Sequence, residues 1–91
     1  MAVTVRIPTQ LRTLSGGESE VEVEGATVSE VLKALESSHP GFGERLFESD
    51  GTLRRFVNVF LADEDIRFLD SLDTAVADSQ VVSIVPAVAG G

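Results

Sequence analysis

The last residues of the sequence form a segment of small, uncharged side chains that could carry chemistry at its end. After Pro86 the chain continues with Ala87, Val88, Ala89, Gly90 and Gly91. Five extended residues reach roughly 17 Å, and the two glycines lack a Cβ, so a nucleotide or another backbone can approach closely. The Gly91 carboxylate could attack the α-phosphate of an ATP held by another protein, and the acyl adenylate could then accept sulfide or an amine. The segment indicates either a reactive tail that enters partner active sites or a frayed end, and spacing alone does not distinguish them.

The rest of the chain offers little catalytic chemistry. It contains no cysteine, which excludes a thiolate nucleophile, a disulfide and a thiolate metal site. His39 is the single histidine and precedes Pro40 at a predicted helix end, where a cap or a solvated side chain is expected. Asp63, Glu64 and Asp65 are consecutive on a predicted turn, so their carboxylates point apart and no further ligand completes a metal shell. We therefore expect no catalytic residue, no metal and no bound cofactor.

The charge balance is acidic, with 15 Asp and Glu residues against 7 Lys and Arg residues and a formal net charge of -8. A nucleic-acid binder needs the opposite sign to neutralise phosphates. The acidic excess either steers a basic partner toward the protein or serves to keep it soluble. No apolar run has the length of a membrane span, and the N-terminus lacks the pattern of a signal peptide. We expect a cytoplasmic protein that binds neither nucleic acid nor membrane.

The first half of the chain predicts a β-hairpin followed by one helix. Apolar residues alternate with polar ones on both sides of a Gly16-Gly17 turn, which is typical of strands with one buried face; they are Val3, Val5, Ile7, Val21 and Val23. The apolar spacing then becomes helical from Val28 to Leu35. Thr27 and Glu30 form a capping box at the start of this helix, and Pro40 requires it to end.

The second half predicts strands separated by turns. Residues 40–53 are interpreted as a polar connection with one short helical turn. Residues 57–61 give the strongest strand signal, 62–65 a turn, 66–70 a short edge strand, 71–80 a turn-rich segment with a little helix, and 81–86 a last strand. Pro86 is expected to end that strand by removing a ladder donor.

This order of elements predicts an α+β fold of the β-grasp, or ubiquitin-like, type. One main helix must pack on one face of a mixed sheet of four or five strands. The first and last strands carry the strongest apolar runs, so we place them side by side and parallel in the centre. A ferredoxin-like fold would need a second helix that the broken 62–80 region does not supply. The predicted domain spans residues 1–86, and residues 87–91 form a flexible Gly-Gly tail.

The predicted sheet has an outer face, turned away from the helix, that carries apolar residues. If Val57, Val59 and Leu61 face the core, then Phe56, Asn58 and Phe60 face outward, and Val85 does so in the last strand. Exposed apolar patches often mark interfaces. We predict a partner interface formed by Phe60, Val85, Pro86, Phe56 and Asn58. The alternative is an inverted register, because a slip of one residue exchanges the two faces.

The sequence resembles the ThiS/MoaD family of ubiquitin-like sulfur carrier proteins. The similarity extends over essentially the whole chain, through the segments GATVSEVLKALE and RFVNVFLADEDIRFLD and above all the ending PAVAGG. This ending is most similar to the CysO-type branch, which serves cysteine synthesis in actinobacteria. Molybdopterin synthase small subunits commonly have a second proline where this chain has Ala87, and this departure counts against the molybdopterin branch.

The resemblance implies a protein substrate, not an enzyme. An E1-like adenylyltransferase, often fused to a rhodanese domain, would activate Gly91 with ATP, and sulfur transfer would produce a C-terminal thiocarboxylate. The acceptor would be a pyridoxal-phosphate-dependent cysteine synthase, a thiazole-synthase-like enzyme or the large subunit of molybdopterin synthase. A JAMM-type zinc peptidase would free the cysteine product. Phe60 and Val85 would contact such partners. Two alternatives remain open: a protein modifier conjugated to lysines, and an interaction module with an inert tail.

Overall fold

The computed structural model describes residues 2–55 and 57–86, which form a five-stranded sheet with two helices on one side. The strands are β1 (Ala2–Arg6), β2 (Glu20–Glu24), β3 (Val57–Leu61), β4 (Glu64–Asp65) and β5 (Val81–Pro86). The helices are α1 (Val28–Ser38) and α2 (Phe42–Leu46), and 3-10 turns occur at Thr9–Leu11, Ile66–Phe68 and Ser71–Asp73. No helix within the two described ranges is long and apolar enough to cross a membrane.

The sheet is mixed, and its strand order is β2-β1-β5-β3-β4. β1 and β5 are parallel neighbours in the centre, whereas β1 with β2, β5 with β3 and β3 with β4 are antiparallel. The predicted central pairing of the first and last strands is therefore confirmed, and the strand number is five. The single crossover from the β1–β2 hairpin to the other side of the sheet runs through α1, as the β-grasp prediction requires.

Helix α1 forms where the sequence predicts it. The Thr27 hydroxyl accepts a hydrogen bond from the Glu30 N–H at 3.2 Å, and the Glu30 carboxylate accepts one from the Ala26 N–H at 2.8 Å. The first bond satisfies one of the amide donors that a helix start leaves open. The second holds the residue before the cap, so the Glu30 carboxylate reaches one residue further back than in a standard capping box. Its apolar stripe is fully buried against the sheet and consists of Val28, Val31, Leu32 and Leu35.

The strand faces also agree with the alternation in the sequence. Val57, Val59 and Leu61 in β3 are buried, as are Val82 and Ile84 in β5. All five belong to one core cluster with the apolar stripe of α1. The inverted register is therefore excluded, because inversion would have exposed these side chains.

The short helical turn predicted within residues 40–53 is confirmed as α2, but the prediction that this part is a polar connection was wrong. Phe42 and Leu46 of α2 are completely buried, so this segment completes the core beside α1. The Glu36 carboxylate of α1 holds the start of α2 by accepting hydrogen bonds from the N–H groups of Gly41 and Gly43. Gly41 has a φ of 114°, a left-handed conformation that glycine adopts without steric cost.

The predicted edge strand at residues 66–70 was also wrong. The edge strand is β4, which is only two residues long and begins two residues earlier, within the predicted turn 62–65, and the chain turns at Ile66–Phe68. The Asp65 side chain accepts a hydrogen bond from the Arg67 N–H at 2.9 Å. Such a local bond favours a turn over a strand ladder, and the turn places Ile66 in the core. The little helix expected nearby is the turn at Ser71–Asp73.

Candidate functional site on the outer sheet face

The outer face of the sheet carries a small apolar area, here called the outer patch, formed by Phe60, Val81 and Val85. Phe60 lies directly opposite Ser83, so the two valines of β5 are its diagonal neighbours and within reach of its ring. Val85 is 45% exposed, and the other two side chains are half-buried. The predicted outward orientation of Phe60 and Val85 is confirmed, while their role as a partner interface stays a prediction.

Of the other predicted interface residues, Asn58 adjoins the outer patch, whereas the Pro86 side chain lies on the opposite face of the sheet, the face of the buried Val57. Asn58 pairs with Val85 across β3 and β5, and Pro86 pairs with Val57. Asn58 and Pro86 are both partly exposed. The predicted interface residue Phe56 and the predicted tail, residues 87–91 with the reactive Gly91, lie outside the described residues.

Pro86 fits into the strand because its position needs no donor toward β3. The Ala62 N–H donates to the Val81 carbonyl at 2.8 Å, and hydrogen-bonded pairs alternate with non-hydrogen-bonded pairs along an antiparallel ladder. This alternation makes Val57 and Pro86 a non-hydrogen-bonded pair. The proline therefore does not disturb the β3–β5 ladder, and its missing N–H faces β1.

The parallel ladder between β1 and β5 stops at two prolines. The Thr4 N–H donates to the Gln80 carbonyl at 3.1 Å, and this pattern repeats every second residue along each strand. The last paired residue of β1 is Arg6, and the next donors would belong to Pro8 and Pro86, which have none. Pro86 is the last described residue and the root of the predicted tail, and it offers β1 no further donor.

Arg67 covers the edge of β3 near Pro86, a contact that the sequence did not predict. Its Nη1 donates to the Asn58 Oδ1 at 2.6 Å, and its Nη2 donates to the Val57 carbonyl at 2.9 Å. β4 pairs only with Phe60 and Leu61, so the guanidinium covers the part of β3 that β4 leaves open. No local signal could have revealed this contact, because its partners lie nine and ten residues away in the chain.

The other side of the outer face carries an acidic row, formed by Glu20, Glu22 and Glu24 of β2. Their partners in β1 are Arg6, Thr4 and Ala2, and all three glutamates are exposed. Arg6 Nε lies 3.5 Å from Glu20 Oε2, with both side chains more than half exposed. The sequence analysis assigned the valines of this strand to the buried face and gave the glutamates no role. The same alternation nevertheless places the three glutamates together on the outer face.

The described residues hold no group of three or more His, Cys, Asp and Glu side chains that could bind a metal ion. His39 caps the end of α1, where its N–H donates to the Leu35 carbonyl at 2.8 Å. The pKa of Asp50 is lowered by hydrogen bonds from the Thr52 hydroxyl and N–H, in the turn between α2 and β3. Neither residue lies on the outer face, so the site consists of an apolar surface, an acidic row and the tail root.

Comparisons with known proteins agree with this architecture. The model of the ThiS family matches residues 5–91. The sulfur carrier protein CysO of Mycobacterium tuberculosis is 50% identical over 93 aligned residues that cover all of both chains. In the crystal structure of the Amycolatopsis orientalis BexX/CysO complex, the matching chain is 51% identical with a TM-score of 0.93, covering 99% of this chain and 100% of that one.

A third relative is named as a modifier protein and not as a sulfur carrier. Small archaeal modifier protein 3 of Haloferax volcanii is 42% identical over 66 residues, which cover 72% of this chain and 71% of the relative. The matches over the full length agree with the β-grasp topology and with the resemblance noted in the sequence. The chain belongs to the ThiS family of ubiquitin-like, β-grasp proteins.

Proposed function

We propose that this protein is a sulfur carrier whose Gly91 carboxylate is the site of sulfur loading. The observation that carries the proposal is the 50% identity, over the whole chain, with a protein named sulfur carrier protein CysO. The geometry supports it, because Pro86, the last described residue before the predicted tail, directly follows Val85 of the outer patch. A docked partner would thus receive the tail next to its own contact surface.

In the proposed reaction sequence the protein supplies the carboxylate and partner enzymes supply the catalysis. An E1-like partner binds ATP, a carboxylate oxygen of Gly91 attacks the α-phosphorus, and pyrophosphate leaves. Sulfide, supplied by a partner, then attacks the acyl carbon, and AMP leaves with the bonding electron pair. The product is a thiocarboxylate, which donates its sulfur to an acceptor. The carrier itself needs no bound cofactor.

We propose cysteine synthesis as the receiving pathway, with a pyridoxal-phosphate-dependent synthase as acceptor and a JAMM-type zinc peptidase that restores the Gly-Gly end. The similarity to CysO supports this choice. The thiazole-synthase-like and molybdopterin-synthase acceptors are the alternatives within the same function. The complex of BexX with a 51% identical CysO chain supports a partner protein of some kind, without naming the partner of this chain.

Intact-mass measurement tests the proposal. The protein is incubated with the E1-like enzyme of its own host, ATP and a sulfur source, and we expect the mass increase of one oxygen replaced by sulfur. Deleting Gly91 should abolish this increase and leave the thermal unfolding midpoint unchanged, because the described core lies entirely within residues 3–84. An unmodified mass in the wild type, or a large loss of stability on deletion, would contradict the proposal.

A second candidate function is favoured by the 42% identity with a small archaeal modifier protein. In that case the adenylated Gly91 would be attacked by a lysine amine of another protein, with formation of an isopeptide bond and release of AMP. Mass spectrometry of protein from the native host distinguishes the two functions. Conjugates with an isopeptide-linked Gly91 support the modifier, and a thiocarboxylate without conjugates supports the carrier.

A further inference from the structure

The end of β5 that leads to the predicted tail has a sheet neighbour on one side. Its register with β1 ends at Ser83, and beyond that residue, within the described chain, β5 pairs with β3 alone. Val85 lies opposite Asn58, and Pro86 lies opposite Val57. β4 pairs only with the last two residues of β3. These four residues, here called the corner, therefore form a two-stranded ribbon, an arrangement that is marginally stable by itself.

Arg67 occupies the open side of the corner. Its Nη1 donates to Asn58 Oδ1 at 2.6 Å, and its Nη2 donates to the Val57 carbonyl at 2.9 Å, with a longer contact of 3.5 Å to the Arg55 carbonyl. A guanidinium presents its donors in a planar, rigid fork, so one arginine can hold several acceptors in a fixed relative position. The side chain therefore replaces the strand that β3 lacks at this point.

The turn that carries Arg67 is itself anchored to the domain. The Asp65 side chain accepts a hydrogen bond from the Arg67 N–H at 2.9 Å, and the neighbouring Ile66 is completely buried in the core. The guanidinium thus connects the start of β3 to a turn whose position is fixed by the core. Through the pairing of Asn58 with Val85, the same connection holds the end of β5.

We propose that Arg67 is a positioning residue for the loading of Gly91: it keeps the corner closed, so that Pro86 presents the predicted tail at a fixed place relative to the outer patch. This inference rests on the proposed sulfur-carrier function. A partner docked on the outer patch receives the tail through Pro86, which directly follows Val85. A reacting group displaced by about 1 Å can lose up to about a hundredfold in rate, so an open corner should slow the reaction of a docked carrier.

A simpler explanation is that Arg67 only shields an exposed strand edge from pairing with other chains. In that case Arg67→Ala should self-associate, while its monomer is activated at the normal rate. If Arg67 positions the tail root, the folded monomer should instead show a lower kcat with little change in KM, because the outer patch still docks and the loss arises after docking. The two explanations therefore differ in the kinetics of the monomer.

The test compares Arg67→Ala with two control variants. Arg45→Ala removes the same charge from an exposed position on α2. Thr27→Ala removes the cap of α1, which lowers the stability of the whole domain without touching the corner. Circular dichroism and size-exclusion chromatography verify the fold and the monomeric state of each variant. The kinetic measurement is pyrophosphate release by the purified E1-like enzyme of the host, with the carrier as the varied substrate.

Hydrogen exchange of the Val85 amide reports on the corner without any partner. The alternation along the β3–β5 ladder makes Asn58 and Val85 a hydrogen-bonded pair, so this amide exchanges when the corner opens. We expect Arg67→Ala to accelerate its exchange about tenfold, the effect of one lost hydrogen bond from a charged donor. Arg45→Ala and Thr27→Ala should leave it unchanged, because the corner opens locally and not by unfolding of the domain.

In the kinetic measurement we expect kcat of Arg67→Ala to fall about tenfold with little change in KM, while both controls stay close to the wild type. Unchanged Val85 exchange in Arg67→Ala, an equal acceleration in Thr27→Ala, or an unchanged kcat would overturn the inference and leave the sulfur-carrier proposal intact. A wild type that is never activated by the host enzyme would overturn both.

Discussion

Phe60 and Val59 are adjacent in β3 but lie in opposite environments. Val59 is 1% exposed in the core, whereas the Phe60 ring lies on the outer face with part of its surface in solvent. A charge is costly to bury and cheap to expose. The same substitution at these two positions therefore separates a folding role from a docking role.

Phe60→Asp is expected to weaken activation by the partner at least tenfold while the protein stays folded, because it removes the central apolar side chain of the outer patch. The measurement is kcat/KM for pyrophosphate release, with the unfolding midpoint followed by circular dichroism. Val59→Asp is the control and should unfold the domain. A Phe60→Asp variant that unfolds, or one that is activated like the wild type, would contradict the assignment of this residue to an interface.

At the scale of elements, the short helix α2 forms part of the hydrophobic core. It contributes Phe42 and Leu46 to the core, both fully buried, and the Glu36 carboxylate of α1 fixes its start. The loss of a large buried aromatic side chain leaves a cavity that the surrounding residues fill only in part. The short helix should therefore contribute strongly to the free energy of unfolding.

Phe42→Ala is expected to lower the free energy of unfolding by about 3–5 kcal/mol. Urea denaturation gives the measurement, provided that the slope with denaturant stays unchanged. Phe68→Ala is the matched control, because Phe68 is 84% exposed and the same change there should cost little. Similar losses at both positions would show that burial does not explain the contribution of α2.

The elements with regular apolar spacing were predictable, and those fixed by tertiary contacts were not. The alternation at Val57, Val59 and Leu61 correctly gave both faces of β3, and the capping box at Thr27 gave the start of α1. Phe42 and Leu46 also have helical spacing, but glycines and charged residues around them suggested a polar loop. The length of β4 depends on the turn at Asp65, which a strand pattern does not reveal.

The candidate site was predictable in its apolar part only. Phe60 and Val85 follow from strand alternation once the core face is known. The contact between Arg67 and Asn58 depends on the turn after β4, and the position of Glu22 relative to the outer patch depends on the order of all the strands. Such juxtapositions arise from topology, so no local stretch of sequence contains them.

At the scale of the whole molecule, the first and last strands of the described chain lie side by side in the centre of the sheet. β1 and β5 are parallel neighbours, flanked by β2 on one side and β3 on the other. Their inward side chains Val3, Val5, Val82 and Ile84 are almost completely buried. The central pair should therefore open only when the whole domain unfolds.

Hydrogen exchange tests this hierarchy. We expect the slowest amide exchange in the central ladder, at residues such as Thr4 and Val82, with protection close to that of global unfolding. The turns at Ile66–Phe68 and Ser71–Asp73 should exchange faster, because they lie beside a two-residue edge strand and are bonded locally. Equal protection in these turns and in the central ladder would mean that the edge opens together with the core.

The parallel pairing of β1 and β5 also determines how the domain responds to force. A pull on the N-terminal end of β1 and on Pro86 in opposite directions would load all the hydrogen bonds of the central ladder in shear, at the same time. Bonds loaded together share the force, whereas bonds loaded in sequence break one by one. A pull on Pro86 against the N-terminal end of β1 would therefore meet the joint resistance of the whole central ladder.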